Sequence, residues 1–263
     1  MASTRMPAPY ALLHTLSNKP PATCRAEMID FEQAGIQEYK DRFAMLIHDL
    51  LSSAECEELL EAALGSSGYQ WEEAMVNVGL GMQKRMKEVR DCGRIIWDTP
   101  EVVEKLLNRI KPYLPPSVLS LKDSTHIAGA GPIVRQEMWE ITRLNERLRF
   151  LKYTKGMYFR EYCDGSYVTP GGDEISFLTK HIYLNTKGGP GLEADDCLRN
   201  HQKSLKGGAT RFFGFKNNVD VNPATGACLV FQHKGLYHSG EEVEEGTKYT
   251  VRTDIMYKKA EQK

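Results

Sequence analysis

The chain has 263 residues, with 34 Lys or Arg against 35 Asp or Glu, so its formal net charge is -1. This balance gives no electrostatic field that would attract nucleic acid or an anionic membrane surface. No stretch approaches the roughly 18 uncharged apolar residues that a membrane-spanning helix requires. We therefore expect no nucleic-acid partner and no membrane partner, and the length suits one large domain.

The start of the chain differs in composition from the rest. Residues 1–28, MASTRMPAPYALLHTLSNKPPATCRAEM, are rich in Pro, Ser and Thr and lack the apolar core of a secretory signal. We predict a loosely ordered extension over residues 1–40, a single domain over residues 41–263 and a cytoplasmic location. The six cysteines form no CxxC pair, which favours reduced thiols over disulfides or a zinc site.

Two helices are predicted in the first half of the chain. Residues 42–65 indicate a short apolar strand followed by a helix that begins after Ser52 or Ser53 and ends at Gly65. Thr99 and Pro100 mark the start of the second helix. Its apolar face consists of Val102, Val103, Leu106, Leu107 and Ile110. We expect both helices to pack against the core without lining a cofactor site.

From about residue 147 the pattern changes to short runs typical of strands, separated by turn residues. The runs are RLRFLKY, ISFLTKHIYLN, GATRFFGF, GACLVFQH and KYTVRTDIMY. They predict a mainly β protein with flanking helices, built as an antiparallel sandwich or barrel. The insert 186–208 is a long Gly-rich loop, and loops of this length are often lids or binding loops; a mobile connection without function is the alternative.

Three polar features follow one another in this half of the chain. Asp164 comes at the end of a strand in FREYCDG, and His238 lies in a turn in GLYHSG. In KYTVRTD, Lys248, Thr250 and Arg252 share one strand face because side chains alternate. Non-haem Fe(II) oxygenases hold iron with two histidines and one carboxylate, and leave positions open for a 2-oxo acid and oxygen. A nearby cation would bind the far carboxylate of that acid.

These residues carry a family resemblance over about residues 40–260. The runs LNERLRFLKYTKGMYFREYCDGSY, FLTKHIYLN, GGATRFF and VNPATGACLVFQHKGLYHSGEEVEEGTKYTVRTDIMY appear in that order. Together they resemble the Fe(II)/2-oxoglutarate-dependent dioxygenase superfamily, and within it the small fungal-type members of the prolyl-4-hydroxylase-like branch. The resemblance implies a double-stranded β-helix, or jelly roll, with helices packed outside.

The resemblance also implies a metal site. Asp164 matches the carboxylate of the family's HxD motif, and His238 matches its downstream histidine. The first histidine of HxD is replaced here by Tyr162. The resemblance therefore assigns iron to Asp164 and His238, with Tyr162 at the third position.

Further positions correspond to the family's cosubstrate site. Lys248, ten residues after His238, matches the basic residue that binds the C5 carboxylate of 2-oxoglutarate. Tyr183 matches a tyrosine that often shares that task, and Tyr153 matches one that often lines the pocket. Arg252 is a second cation that would hold the substrate or the cosubstrate.

Tyr162 leaves three interpretations open. Its phenol is a metal ligand in the first, because a divalent metal lowers the pKa of the groups it binds. In the second, His181, on the same strand face as Tyr183, supplies the third ligand. In the third, Tyr162 fills the metal pocket and no metal binds.

The resulting hypothesis is a non-haem Fe(II)/2-oxoglutarate-dependent oxygenase with an altered metal site, acting on a small molecule by hydroxylation or a related C–H oxidation. The candidates for substrate binding are Arg252, the 186–208 insert, and Arg90 with Arg94, which would share a face if their segment were helical. The alternative is a pseudo-oxygenase without iron chemistry, serving as a ligand-binding or partner protein or as a metal-independent isomerase or cyclase.

Overall fold

The structure is a computed structural model that describes residues 15–79, 82–122, 124–185 and 205–260. Most of the predicted binding loop at 186–208 lies outside these ranges, as does Cys197. The other five cysteines are free thiols.

Eighteen strands and five α-helices make up the described part. The strands are β1 (Arg25–Met28), β2 (Ala44–His48), β3 (Glu72–Glu73), β4 (Val76–Gly79), β5 (Met82–Lys84), β6 (Arg90–Asp91), β7 (Gly93–Asp98), β8 (Trp139–Leu144), β9 (Arg147–Thr154), β10 (Tyr158–Tyr162), β11 (Glu174–Tyr183), β12 (Lys206–Gly207), β13 (Thr210–Phe213), β14 (Asn218–Val221), β15 (Cys228–Gln232), β16 (His238–Gly240), β17 (Val243–Glu245) and β18 (Thr247–Lys259). The α-helices are Ser53–Ser66, Pro100–Ile110, Pro116–Leu119, Thr125–Ala128 and Ala130–Val134, and two short 3₁₀ helices are Gln37–Tyr39 and Lys111–Tyr113.

Two antiparallel sheets form the core of the fold. The larger sheet has the order β1-β2-β15-β11-β18-β9-β7-β3, with β8 also paired to β18, and the smaller sheet has the order β14-β13-β16-β10-β6. Most neighbours in the larger sheet, such as β2 with β15 and β11 with β18, are far apart in the chain, as in a jelly roll, where successive strands alternate between sheets. The prediction of a mainly β protein with a double-stranded β-helix core is confirmed.

The five strand runs predicted from alternation are confirmed as β9, β11, β13, β15 and β18. The helix predicted after Ser52 is also present, and a capping box joins Ser52 to Glu55. Its end was misplaced, since the helix continues past Gly65 and the C-cap is Ser67. His238 was predicted in a turn but is the first residue of β16.

The segment that carries Arg90 and Arg94 is not helical. These residues lie in β6 and β7, which pair with β10 and with β3 and β9 respectively. Sheet pairing decides the conformation here, because a short segment of mixed composition takes the structure that its neighbours can hydrogen-bond. The idea that both arginines share a helical face is therefore wrong.

The helices cover the outer face of the larger sheet. All five predicted apolar residues of the Pro100–Ile110 helix are buried in the main core cluster. The same helix buries Arg109, whose guanidinium donates to both carboxylate oxygens of Glu55 in the neighbouring helix. Because the pair is bidentate and also bonds to backbone oxygens, the buried charge is fully hydrogen-bonded.

The second half of the predicted N-terminal extension contains ordered structure. β1 pairs with β2 of the larger sheet, and Leu16, Phe31, Ile36 and Tyr39 are buried. This packing lengthens the sheet beyond the region in which alternation was recognised. Among the described helices, none has the length and apolar character needed to cross a membrane.

Candidate active site

A pocket opens between the inner faces of the two sheets. The larger sheet contributes side chains from β9, β11, β15 and β18, and the smaller sheet contributes them from β6, β10, β13 and β16. The residues that line the pocket are Arg90, Leu151, Tyr153, Phe159, Tyr162, Asp164, Thr179, His181, Thr210, Phe231, His238, Ser239, Gly240, Lys248 and Arg252. Seven of the eight residues predicted from the sequence are in this set, and the eighth, Tyr183, is not.

Asp164 is the most heavily contacted polar group of the pocket. Its Oδ1 lies 2.8 Å from Arg252 Nη2, and its Oδ2 accepts a 2.5 Å hydrogen bond from the Thr179 hydroxyl. The same Oδ2 lies 3.8 Å from His238 Nε2. Burial alone would raise the pKa of Asp164, but the positive charge of Arg252 holds that pKa well below its usual range. The carboxylate is therefore ionised at neutral pH.

His238 presents one ring nitrogen to the pocket. Its Nδ1 donates to the backbone oxygen of Leu236 at 3.0 Å, so Nε2 is left as the acceptor that faces Asp164. Burial lowers the pKa of His238, and Asp164 only partly offsets this effect. A neutral imidazole is the form that binds a metal ion, and the Nε2 lone pair of His238 lies on the side of Asp164.

Tyr162 lies beside His238 on the neighbouring strand. The two residues are a cross-strand pair of β10 and β16, and their ring centroids are 4.4 Å apart. A register shift between Phe159 and Tyr162 brings the side chains of Phe159 and Tyr162 to the same face of β10. Their rings stack there with centroids 3.9 Å apart. Burial, reinforced by Asp164, raises the pKa of the Tyr162 phenol. The phenol is thus protonated at neutral pH when no metal is bound.

His181 faces the pocket from β11, as alternation predicts, but it stands beside the cations. Its ring centroid lies 5.0 Å from that of Tyr183. Burial lowers the pKa of His181 well below its usual value, and the positive charges of Lys248 and Arg252 lower it further. Within the described ranges, the buried Nε2 of His181 has no hydrogen-bond partner. His181 is therefore a neutral polar group directed at the pocket.

Lys248 is buried at the other end of the pocket. Its Nζ donates to the backbone oxygen of Gly208 at 2.5 Å and lies 5.2 Å from the centre of the Tyr153 ring. Gly208 has φ +70°, and a Cβ there would lie 3.0 Å from Lys248 Cδ, so a glycine is required for this contact. Burial lowers the pKa of Lys248 to about 8. No carboxylate pairs with Lys248 among the residues that the structure describes.

Tyr183 is fully buried behind Lys248, with its ring centre 5.8 Å from the Lys248 Nζ. Its hydroxyl donates to Thr210 Oγ1 at 2.7 Å, and Thr210 lines the pocket. Tyr183 therefore acts on a bound ligand through Thr210, because the hydrogen bond from Tyr183 fixes the position of the Thr210 hydroxyl.

A second polar layer lies behind Arg252. Its Nη2 is 3.4 Å from Asp254 Oδ1, Asp254 also pairs with Arg149 at 3.4 Å, and His233 Nε2 lies 3.8 Å away from it. This network fixes the guanidinium of Arg252 from two sides. Sequence reasoning assigned Arg252 to the substrate or cosubstrate, whereas its nearest charged partners here are Asp164 and Asp254.

The donors present fit a metal ion with two protein ligands. Oδ2 of Asp164 and the unprotonated Nε2 of His238 face each other. Oδ1 of Asp164 is bonded to Arg252, so the carboxylate would bind a metal through one oxygen. Within the four described ranges, no group of three or more His, Cys, Asp or Glu side chains is arranged to hold a metal. A third protein donor would therefore have to be of another type, and Tyr162 is the phenol beside the pair.

Sequence reasoning missed some of these contacts. Thr179 shares a strand face with His181 by alternation, but its bond to Asp164 was not predicted, and neither was the role of Thr210. The signal available for Thr210 is its position in GATRFF, where alternation turns Thr210 and Phe212 to the same face of β13. Cys163 does not line the pocket, as expected for a neighbour of two inward residues.

No protein-family model matches the chain, and no curated protein matches it in sequence. Among solved structures, a viral collagen prolyl hydroxylase from Paramecium Bursaria Chlorella virus-1, determined with 2OG, is 17% identical with a TM-score of 0.47, over 81% of this chain and 95% of that one. A prolyl-4-hydroxylase from Pseudomonas putida is 14% identical with a TM-score of 0.46, over 97% and 100%. A prolyl hydroxylase from Trichoplax adhaerens, in complex with a hypoxia inducible factor peptide, is 16% identical with a TM-score of 0.49, over 86% and 88%. At these sequence identities and TM-scores, the similarity carries no conclusion about the ligands or the activity of this chain.

Proposed function

We propose that the chain is a non-haem Fe(II)/2-oxoglutarate-dependent oxygenase with an altered metal site. The observation that carries the proposal is that one pocket contains both a buried carboxylate–imidazole pair, Asp164 and His238, and a buried lysine without a carboxylate partner in the described ranges, Lys248. A metal ion and a dicarboxylic acid are the two ligands that such a pocket would accept together. The same two ligands are implied by the family resemblance of the motifs.

In this proposal Asp164 and His238 hold the iron, and Tyr162 is the third residue at the site. Thr179 and Arg252 orient the carboxylate of Asp164, because each bonds to a different oxygen of it. The backbone oxygen of Leu236 keeps the proton of His238 on Nδ1. These contacts keep both donors in the protonation state that a metal requires.

Lys248 holds the C5 carboxylate of 2-oxoglutarate. Its ammonium is buried, and among the residues that the structure describes it donates only to the Gly208 backbone oxygen. A carboxylate at this point would therefore gain a charge-assisted hydrogen bond. Thr210 supplies a hydroxyl to the same pocket, and the ring of Tyr153 lies 5.2 Å from the Lys248 Nζ.

When bound, iron and 2-oxoglutarate supply the oxidation of a substrate C–H bond by oxygen, with conversion of 2-oxoglutarate to succinate and carbon dioxide. The chain supplies the shielding that this chemistry needs. Leu151, Phe159 and Phe231 line the pocket with apolar surface, which excludes water and strengthens the electrostatic contacts inside. A free small molecule in the cytoplasm is the proposed substrate.

A pseudo-oxygenase is the second candidate, and one observation favours it. The guanidinium of Arg252 forms an ion pair with Asp164, which neutralises the carboxylate that a metal would need. Under this alternative the pocket binds an acidic ligand through Lys248 without iron chemistry.

Anaerobic titration of the protein with Fe(II) and 2-oxoglutarate separates the two candidates. We expect a visible metal-to-ligand charge-transfer band that saturates at one equivalent, because chelation of the metal by the 2-oxo acid produces it. If 2-oxoglutarate binds and no band develops in the folded protein, the pseudo-oxygenase is correct. A parallel calorimetric titration with 2-oxoglutarate alone reports on Lys248 independently of the metal.

A further inference from the structure

Arg90 is a second cation of the pocket that the proposed chemistry does not use. It lies in β6 opposite Phe159 of β10, and its guanidinium carbon is 4.6 Å from the centre of the Phe159 ring. Its Nε donates to Cys92 Sγ at 3.3 Å and its Nη1 to the Met75 backbone oxygen at 3.4 Å. None of these partners is a carboxylate.

Three basic residues near Arg90 in the sequence have acidic partners. These pairs are Arg85 with Glu73, Lys87 with Asp91, and Arg94 with Glu72. In the described chain Arg90 has no such pair, although it is the one of these four that lines the pocket. Arg90 is half-buried. A guanidinium that is partly withdrawn from water without a counter-ion is less stable than a paired one, and an anionic ligand would stabilise it.

The charges of the pocket support a second anion. Asp164 and Asp254 both pair with Arg252, so they do not compensate Lys248 or Arg90. One dicarboxylate bound by Lys248 and by the metal would leave Arg90 without a counter-charge. The pocket thus has a place for a further negative group at its β6 end.

Arg90 is connected to the metal-binding pair by a column of rings. Its guanidinium stacks over Phe159, the Phe159 ring stacks on Tyr162 at 3.9 Å, and the Tyr162 ring is 4.4 Å from that of His238. A molecule that lies along this column with one end on Arg90 would have its other end beside His238. Its flat or apolar body would contact aromatic rings.

We propose that Arg90 binds a carboxylate of the prime substrate, so that the enzyme acts on small carboxylic acids. The inference rests on the proposed function, since it names the substrate class of that site. A single guanidinium with two of its nitrogens already engaged suits a monoanionic carboxylate, whereas a phosphate dianion generally has several cations around it. Lys248, beside Tyr153, remains the cosubstrate residue.

Benzoate and benzamide are suitable probes, because they have nearly the same shape and differ in charge. Binding of each is measured by ligand-observed NMR to the protein saturated with 2-oxoglutarate. We expect benzoate to bind at least tenfold more tightly than benzamide to the unaltered protein. Arg90→Gln should remove this difference, and Arg94→Gln, which affects a paired arginine outside the pocket lining, should leave it intact. Arg90→Lys keeps the charge without the planar fork and should retain part of the difference.

Several results would overturn the proposal. Equal binding of benzoate and benzamide to the unaltered protein would do so even if Arg90→Gln does not fold. Unchanged preference for benzoate in Arg90→Gln would also do so. Competition between benzoate and 2-oxoglutarate would assign Arg90 to the cosubstrate site instead. Failure of 2-oxoglutarate itself to bind would be a failure of the proposed function, and is detected separately before any probe is added.

Discussion

Arg252 Nη2 lies 2.8 Å from Asp164 Oδ1, and both side chains are largely buried, with exposures of 16% and 3%. This ion pair joins β18 of the larger sheet to the second residue after β10 of the smaller one. Breaking one partner of such a pair leaves an uncompensated charge inside the protein. The pair therefore contributes both to the stability of the barrel and to the state of the proposed metal ligand.

Arg252→Leu should lower the free energy of unfolding by about 3–5 kcal/mol at pH 7, because it leaves Asp164 buried and unpaired. In the variant, burial raises the pKa of Asp164 above its unfolded value, so the loss should shrink as the pH falls from 7 to 5 and the carboxyl takes a proton. Urea unfolding at the two pH values measures both effects.

Arg147→Leu is the matched control for that substitution. Arg147 pairs with Asp98 at 3.0 Å, but both side chains are about half exposed, and such surface pairs contribute about 0–1 kcal/mol. A loss in Arg252→Leu no larger than in Arg147→Leu would contradict a structural role for the buried pair.

Tyr162→His should increase the affinity for Fe(II) at least tenfold, because it places an imidazole beside His238 and Asp164. The charge-transfer band with 2-oxoglutarate should then saturate at lower Fe(II). Tyr162→Phe keeps the ring that stacks on Phe159 and removes only the hydroxyl. If Tyr162→Phe binds Fe(II) as the unaltered protein does, the phenol is not a ligand, and unchanged affinity in Tyr162→His would speak against a metal at this position.

Lys248→Met should weaken 2-oxoglutarate binding at least tenfold, measured by calorimetry without metal. The chain offers a close control in Lys180, which is also fully buried and whose pKa burial likewise lowers to about 8. Lys180 is on the opposite face of β11 from Thr179 and His181 and does not line the pocket. Lys180→Met should leave 2-oxoglutarate affinity unchanged, and equal losses in the two variants would argue against a specific role for Lys248.

Lys180→Met should also change how stability depends on pH. Burial lowers the pKa of Lys180 from 10.5 to about 8, and no residue that the structure describes forms a hydrogen bond with its Nζ. The unfolded chain therefore binds more protons between these pH values, and the charged lysine destabilises the fold fully below pH 8 and not at all above pH 10.5.

At about 1.4 kcal/mol per pKa unit, removal of Lys180 should stabilise the protein by about 3 kcal/mol at pH 7. The difference between the variant and the unaltered protein should disappear as the pH rises toward 10.5. Comparing the two proteins at each pH cancels the titration of buried tyrosines and cysteines. A pH-independent difference would mean that the effect comes from packing instead of charge.

Strand alternation predicted a large part of the site. In β18 and β11 it placed Lys248, Arg252 and His181 on the face that lines the pocket, because long strands keep a strict period of two. It did not predict that Arg252 would bond to Asp164, since 88 positions separate them and only the packing of two sheets brings them together. The stack of Phe159 on Tyr162 depends on a register shift in β10, which alternation cannot show. Arg90 lies in a two-residue strand, too short for any period to be read.

β18 is hydrogen-bonded to β11 on one side and to β9 and β8 on the other. The strand has 13 residues, and Lys248 and Arg252 are four apart within it, so their backbone positions are separated by about 13 Å along an extended chain. Because the ladders on both sides hold the strand extended, the distance between these two backbone positions does not change when a ligand enters. Acids of different chain length would have to be accommodated by side-chain rotamers alone, and the protein should therefore discriminate among dicarboxylates by length as well as by charge.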